Sequence, residues 1–254
     1  MVRQGLKHDL SAMSELNSAA YETAAALAEY DKPCEPMQIE KVLFAEFFDH
    51  NGPLLDIGCG AGRTTYRLVE DGFKVVGADL SATLLEAARV RRPGVEFHHA
   101  DVRHLPFEDE SFSQALFSHN GMDQVHPIGD YLKALKEVRR VLIPNGIFIY
   151  SGHNIIGRFG RHLRTLRELA SVALRVHPRF LLLQLRGSEI SDWYWRYSEP
   201  FGEIVSLSAP PYVHKRLQSQ AGFETLAIRG PNNEKSERWL TFREHHIHYV
   251  VRKQ

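Results

Sequence analysis

Ten residues, Leu54-Leu55-Asp56-Ile57-Gly58-Cys59-Gly60-Ala61-Gly62-Arg63, restrict the architecture more than any other part of the chain. A short apolar run reaches an acid, and three glycines then alternate with small residues before a helix-like segment begins. The pattern predicts a β-strand turning sharply into an α-helix. Glycine adopts positive φ and lets another molecule approach the backbone closely. The helix that follows points its free N–H groups and positive dipole end at the turn. Such a turn either cradles a nucleotide-like ligand or is simply a tight turn.

The dinucleotide fingerprint requires glycine at the first, third and sixth places. Counted from Gly58 these are Gly58, Gly60 and Arg63, so the sixth place is wrong. An NAD-dependent oxidoreductase is disfavoured on that ground. Asp56 would also lie close to a pyrophosphate, whereas it suits a cationic ligand group. The string D-x-G-x-G-x-G, here Asp56, Gly58, Gly60 and Gly62, resembles motif I of the class I S-adenosylmethionine (SAM)-dependent methyltransferases. In that family the turn wraps the methionine moiety of SAM, whose amine is positive. The resemblance implies cofactor contacts from Asp56, Gly58, Cys59, Gly60 and Arg63.

From Leu54 onward strand and helix patterns alternate, as in a parallel sheet covered on both faces. A second strand, Lys74–Ala78, ends at Asp79, 21 residues after Gly58. A carboxylate at that place can accept both hydroxyls of a ribose. The bland alternative makes Asp79 the N-cap of the helix Thr83–Arg91, for which Ser81 is equally suited. Leu80 is placed to pack on an adenine face. A third strand, Val95–Ala100, ends at Asp101, and Asp101 through Phe107 resembles the family's D-x-x-x-L-P-F segment. The resemblance gives Asp101 the adenine amino group and Val102 the ring. Asp56, Asp79 and Asp101 thus end three successive strands, the edge where open α/β sheets bind ligands.

The fourth strand, Ser113–Phe117, opens onto Ser118-His119-Asn120-Gly121-Met122-Asp123. This segment is expected to face methyl donor and acceptor, with Ser118 on the cofactor. Arg140 through Gly146 resembles the family's R-x-L-x-P-G-G turn with Asn145 for a glycine, a mild change because Asn tolerates left-handed geometry. The fifth strand, Ile147–Tyr150, leads to His153. Asp123, His119 and His153 are the candidate proton acceptors, since a positioned base must remove an acceptor proton where one exists. Histidine titrates near neutrality, which suits that task. Alternatively His119 only contacts the cofactor or caps a helix.

Residues 1–50 read as helices broken by Pro33 and Pro36, with Ile39, Val42, Leu43, Phe47 and Phe48 as an apolar stripe. Tyr21 and Tyr30 are either lid residues or core. Residues 155–205 fall outside the alternation and are expected to form a helical and aromatic lid over the acceptor. Ile155 to Arg186 holds seven arginines and one acid beside helically spaced leucines. This is a lid, a solvated basic face, or a peripheral membrane contact through 155–186. Toward the C-terminus, Tyr212–Ala221 reads as a helix and Glu224–Ile228 as a strand. Thr241-Phe242 and His246–Val251 are expected to supply the last strand. His245, His246 and His248 lack a third-ligand pattern and read as surface strand residues, so no metal is expected.

Charge and composition add exclusions. The formal net charge is zero over 254 residues, so no global field argues for nucleic acid. The two cysteines, Cys34 and Cys59, form no disulfide framework, and no signal-peptide core is visible, which together favour a cytoplasmic setting. The expected architecture is a Rossmann-like doubly wound α/β sheet of seven strands with the last antiparallel. It divides into an N-terminal helical cap (1–50), the SAM-binding core (51–154), the inserted lid (155–205) and the rest of the core (206–254). The implied activity is methyl transfer from SAM, leaving S-adenosylhomocysteine, to an O or N atom of a small, anionic or partly hydrophobic acceptor. A nucleic-acid methyltransferase using the arginine-rich insertion and a non-catalytic SAM-binding regulator are the alternatives. Oligomeric state is not encoded in any of these features.

Overall fold

The computed structural model describes residues 10–32, 35–160 and 194–254. Three helices come first: α1 (Leu10–Tyr21), α2 (Ala24–Tyr30) and α3 (Gln38–Phe47). Thr23 separates the first two because its hydroxyl accepts the Ala26 N–H and caps α2. Helix α3 buries Ile39, Leu43 and Phe44 against Leu54, Leu68 and Val75; of the stripe read from sequence, Ile39, Leu43, Phe47 and Phe48 belong to this cluster, whereas Val42 does not and Phe44 takes its place.

The core alternates β1 (Leu54–Ile57), α4 (Arg63–Glu70), β2 (Val75–Asp79), α5 (Ala82–Arg91), β3 (Glu96–His99), β4 (Phe112–Phe117), α6 (Ile128–Val141) and β5 (Leu142–His153). After β5 come α7 (Ile155–Gly160), β6 (Tyr194–Glu199), β7 (Gly202–Leu207), α8 (Pro211–Gln220), β8 (Phe223–Arg229), α9 (Glu237–Arg243) and β9 (His246–Lys253). Seven strands form one sheet in the order β3-β2-β1-β4-β5-β9-β8. Strands β1 to β5 are parallel, and β9 runs antiparallel to both of its neighbours. The order reverses between β1 and β4, where Ile57 pairs with Phe117. A crevice opens at such a reversal because the two flanking crossovers leave toward opposite faces.

The seven-strand expectation holds, with local differences. Thr241 and Phe242 belong to α9 rather than to the last strand, because Ser236 caps a helix by accepting the Trp239 N–H. The described end of the insertion is a β-hairpin, β6 with β7, rather than helix. Tyr194 is buried there, and Phe201 and Ile204 pack on Ala26. The leucine–arginine pattern of 161–186, Phe180 to Leu183 and Trp193 lie outside the described residues. Asn145 adopts φ 64°, the left-handed geometry its substitution for glycine allows. Among the described residues no helix is long and apolar enough to cross a membrane.

Candidate active site

The glycine turn leaves β1 and bends over the edge of β2, where the Cys59 N–H donates to the Ala78 carbonyl at 3.2 Å. Its first two glycines serve different ends. A Cβ on Gly58 would lie 2.3 Å from the Phe117 ring, so that glycine exists for packing. Gly60, at φ 53°, would meet nothing nearer than Leu84 Cδ1 at 3.8 Å. The space over Gly60 is open, and a ligand can approach its backbone there.

That space belongs to a cleft of about 980 Å³, its open mouth included. Gly58 and Gly60 line it, with Asp79, Leu80, Asp101 and Val102 at one end and Ser118 and His119 beside the turn. Asp79 Oδ2 accepts the Gly60 N–H at 2.7 Å and Oδ1 accepts the Ser81 N–H at 2.7 Å. The N-cap of α5 is Ser81, whose hydroxyl accepts the Leu84 N–H, so capping does not account for Asp79. A carboxylate has about four acceptor positions, so these two bonds do not exhaust its capacity for hydroxyl donors. Burial pushes the Asp79 carboxyl above its ordinary range, and the two N–H bonds oppose the rise. Leu80 is 42% exposed at the cleft wall, a placement suited to a flat apolar ring. The open cradle over Gly60 and the residual acceptors of Asp79 fit a bound nucleoside.

Other expected contacts are altered. Asp56 is fully buried and does not line the cleft. Its Oδ2 accepts the hydroxyls of Thr64 and Thr65 at 2.7 and 2.6 Å, pinning the first turn of α4 from beneath. Burial raises its pKa to about 6. The Cys59 side chain packs with Leu85, Ala88 and Phe97, so only its backbone belongs to the turn's surface. Asp101 does line the cleft, but Arg103 holds it through its backbone N–H and a bidentate guanidinium. Burial raises the Asp101 carboxyl, and the Arg103 contacts outweigh that and hold it below the usual range.

Arg63 also differs from expectation. Its Nη1 and Nη2 donate to Glu40 at 2.8 and 3.1 Å, and Nη2 donates to Ser118 Oγ at 2.6 Å. Glu40 is buried on α3. Desolvation raises its pKa, but Arg63, Ser118 and the Met37 N–H together hold it below the ordinary range. Arg63 therefore ties α3, α4 and the loop after β4 together and lines a second cavity of about 1,070 Å³. The two cavities share Gly58, Gly60, Ser118, His119 and Tyr30.

The candidate bases separate. His119, at φ 52°, borders both cavities and meets Tyr30 edge-on at 6.1 Å. Its side chain keeps access to solvent at the cleft mouth, and partial desolvation there, then the Arg63 charge, lowers its pKa, which favours the neutral ring with a lone pair to offer. Asp123 and His153 line neither cavity. They form a pair: Asp123 Oδ2 accepts the His153 backbone N–H at 2.5 Å and faces Nδ1 at 3.0 Å. Desolvation brings buried Asp123 to about 6, with His153 opposing. His246 is exposed as expected, but His248 is buried in the sheet. Among the described residues no His, Cys, Asp and Glu group is disposed to hold a metal ion.

Sequence reasoning missed Glu40 and Asn17. Asn17 Nδ2 donates to the Val205 carbonyl at 2.8 Å and its Oδ1 accepts the Val205 N–H at 3.0 Å, so its side-chain amide acts as a rung on the hairpin. Tyr21, Tyr30 and Phe201 roof the region, with ring centroids 5.2 to 5.8 Å apart. The one available signal for Glu40 was an acid adjoining the apolar stripe of α3. Asn17 sits in an ordinary helical stretch and gave none.

A family model described as "Methyltransferase domain" matches residues 55–150. A demethylmenaquinone methyltransferase of Staphylococcus aureus is 36% identical over 182 residues, covering 69% of this chain and 69% of that protein. One from Clavibacter sepedonicus is 41% identical over 96 residues, or 37% of this chain, and the match spans only 38% of that relative's length. The solved structure of the CcbJ methyltransferase from Streptomyces caelestis superposes with a TM-score of 0.65 at 16% identity, covering 92% of this chain and 97% of that one, a likeness of fold. The chain belongs to the class I S-adenosylmethionine-dependent methyltransferases.

Proposed function

We propose that the chain methylates a small, partly apolar acceptor at an O or N atom that sheds a proton. The observation that carries this reading is the position of neutral His119, beside the open glycine turn and beneath the aromatic roof. SAM, when bound, supplies a methyl group already activated by the sulfonium charge. Asp79, Gly58, Gly60, Leu80 and Val102 would hold it, with Asp101 and Ser118 at its margins. Holding acceptor and donor at near-attack separation accounts for several kcal/mol of barrier.

His119 would take the acceptor proton on a ring nitrogen as the new bond forms. Asn17, Gln124 and Val125 line the cleft together with Tyr21 and Tyr30, whose rings pack on Phe201. Apolar rings with few polar groups favour an acceptor with a flat or greasy body. The names of the similar demethylmenaquinone methyltransferases agree with a small-molecule acceptor. Asp56 and Arg63 act on the cofactor indirectly, by fixing α4 and the turn. Asp123 acts through His153.

The test is turnover of labelled SAM against a panel of phenolic, quinol and amine acceptors. Label transfer that depends on His119 supports the reading. SAM binding with no transfer to any acceptor, including a cell metabolite extract, would favour a regulatory SAM-binding protein instead.

A further inference from the structure

Among the described residues, the aromatic side chains exposed by half or more are Tyr212 (51%), Trp239 (50%) and Phe242 (55%). All three fall on α8 and α9. A Lys215–Glu237 ion pair of 3.1 Å draws these two helices together. Leu240 anchors α9 in the core, which leaves Trp239 and Phe242 on its outer side. Exposed basic residues surround them: Arg216, Lys235, Arg238 and Arg243. The Arg243 guanidinium lies over the Trp239 ring at 5.6 Å. Of the nearby acids, Glu237 is engaged by Lys215, Glu244 is buried, and Glu234 accepts the Asn232 backbone and side-chain amides, against four exposed cations.

This corner stands at the same sheet edge as the cleft. Ser208, just before α8, bridges to His153 at the end of β5. His246, three residues after α9, pairs with the same His153. The head of α8 and the tail of α9 therefore lie at the carboxyl end of β5, the edge on which the glycine turn opens.

We propose that this corner seats the protein on an anionic bilayer surface, cleft edge toward the lipid. Charge complementarity selects the occupant. Tryptophan and tyrosine prefer the headgroup level, and neighbouring arginines pair with lipid phosphates. Grouped exposed aromatics cost solubility without such a use. The contact is peripheral, and a handful of rings and cations gives reversible attachment. The consequence for catalysis, delivery of an apolar acceptor from the bilayer, rests on the methyltransferase reading. The docking itself does not.

The experiment is co-sedimentation of the full chain with phosphatidylglycerol–phosphatidylcholine vesicles and with pure phosphatidylcholine vesicles. Variants are Trp239→Ala with Phe242→Ala, and Arg238→Glu with Arg243→Glu. SAM calorimetry and thermal melting run in parallel as checks on folding. The expected result is binding to anionic vesicles that weakens with salt and falls at least tenfold in either double variant, with SAM affinity unchanged. Absent vesicle binding, or binding that both variants retain, overturns the proposal. A dimer that the aromatic variant dissolves, without vesicle binding, also overturns it and makes a second copy the occupant. Vesicle binding in a chain that takes up no SAM leaves the docking standing and removes the methyltransferase reading.

Discussion

Glu40 and Arg63 form a two-point ion pair, Oε2 to Nη1 at 2.8 Å and Oε1 to Nη2 at 3.1 Å, between a helix outside the alternating core and the helix that starts at the glycine turn. Glu40 is buried and Arg63 mostly so. Removing one partner of a buried pair strands the other charge, at about 3 kcal/mol. Glu40→Ala is expected to lose about that much stability in urea titrations at pH 7. Because the Glu40 pKa is lowered in the fold, its contribution is complete above the ordinary glutamate range and disappears as pH falls through the folded value. The wild-type advantage over Glu40→Ala should therefore shrink in acid. An advantage independent of pH would mean that packing alone accounts for the effect.

His119 carries the proposed proton transfer. His119→Ala is expected to reduce kcat by about 10²- to 10⁴-fold, the usual range for a lost general base, while SAM affinity stays within threefold. In the wild type kcat should be level near neutral pH and fall in acid, where the ring protonates, with the inflection below the ordinary histidine value. Rapid-mixing kinetics across pH would measure both. His153→Ala should leave that acidic limb in place.

The two cleft glycines separate packing from ligand approach. Gly58→Ala drives a methyl into the Phe117 ring and should cost stability beyond the ~1–2 kcal/mol of left-handed strain. Gly60→Ala has room and should cost only that strain, yet weaken SAM binding at least tenfold by filling the cradle. Thermal melting and calorimetry on the same preparations distinguish the pair. Equal SAM affinity in Gly60→Ala would place the ligand elsewhere.

The strand ends were legible because parallel strands are short and apolar and stop at acids. Asp79 is placed at the cleft edge by its distance from the glycine turn, and Asp101 by its position at a strand end together with the family resemblance of the segment that follows, and both line the cleft. What Asp56 and Arg63 do was not legible, because Thr64 and Thr65 hold Asp56 beneath the turn and Glu40 holds Arg63 beside it. Sequence gives a residue's neighbourhood along the chain, not which hydrogen bonds have already been formed. Glu40 precedes Arg63 by 23 positions and meets it only because α3 folds back on the sheet. That Asp123 and His153, two of the three candidate bases, face each other rather than either cavity was hidden for the same reason: one follows β4 and the other ends β5, 30 positions apart. The hairpin at 194–207 was read as helix and aromatic cap because its strands, rich in Tyr and Trp, lack clear alternation at the sequence level.

His248 provides a stability probe. It is buried with both ring nitrogens lacking a protein partner, and desolvation brings its pKa to about 4. Between pH 6.5 and about 4 the unfolded chain takes a proton there and the folded chain does not, so stability falls with decreasing pH, by about 3 kcal/mol in all. Buried Asp56 and Asp123, raised to about 6, act oppositely: the folded chain binds protons first, and stability rises as pH falls from 6 toward 4. His248→Leu should remove only the first effect and lose about 3 kcal/mol less than wild type over that interval. Parallel pH curves for the two proteins in urea unfolding would contradict the burial account.

Asp79 is the acid proposed to hold the sugar of a bound SAM. Calorimetric titration of SAM into wild type and Asp79→Asn tests this most directly. Asparagine keeps one acceptor oxygen for either the Gly60 or the Ser81 N–H and gives up the other bond, so melting curves run in parallel establish that the turn survives before the affinities are compared. The predicted result is a single saturable site in the wild type and at least tenfold weaker binding in the variant. No heat with SAM, or equal affinity in the two proteins, would contradict the assignment of the cleft.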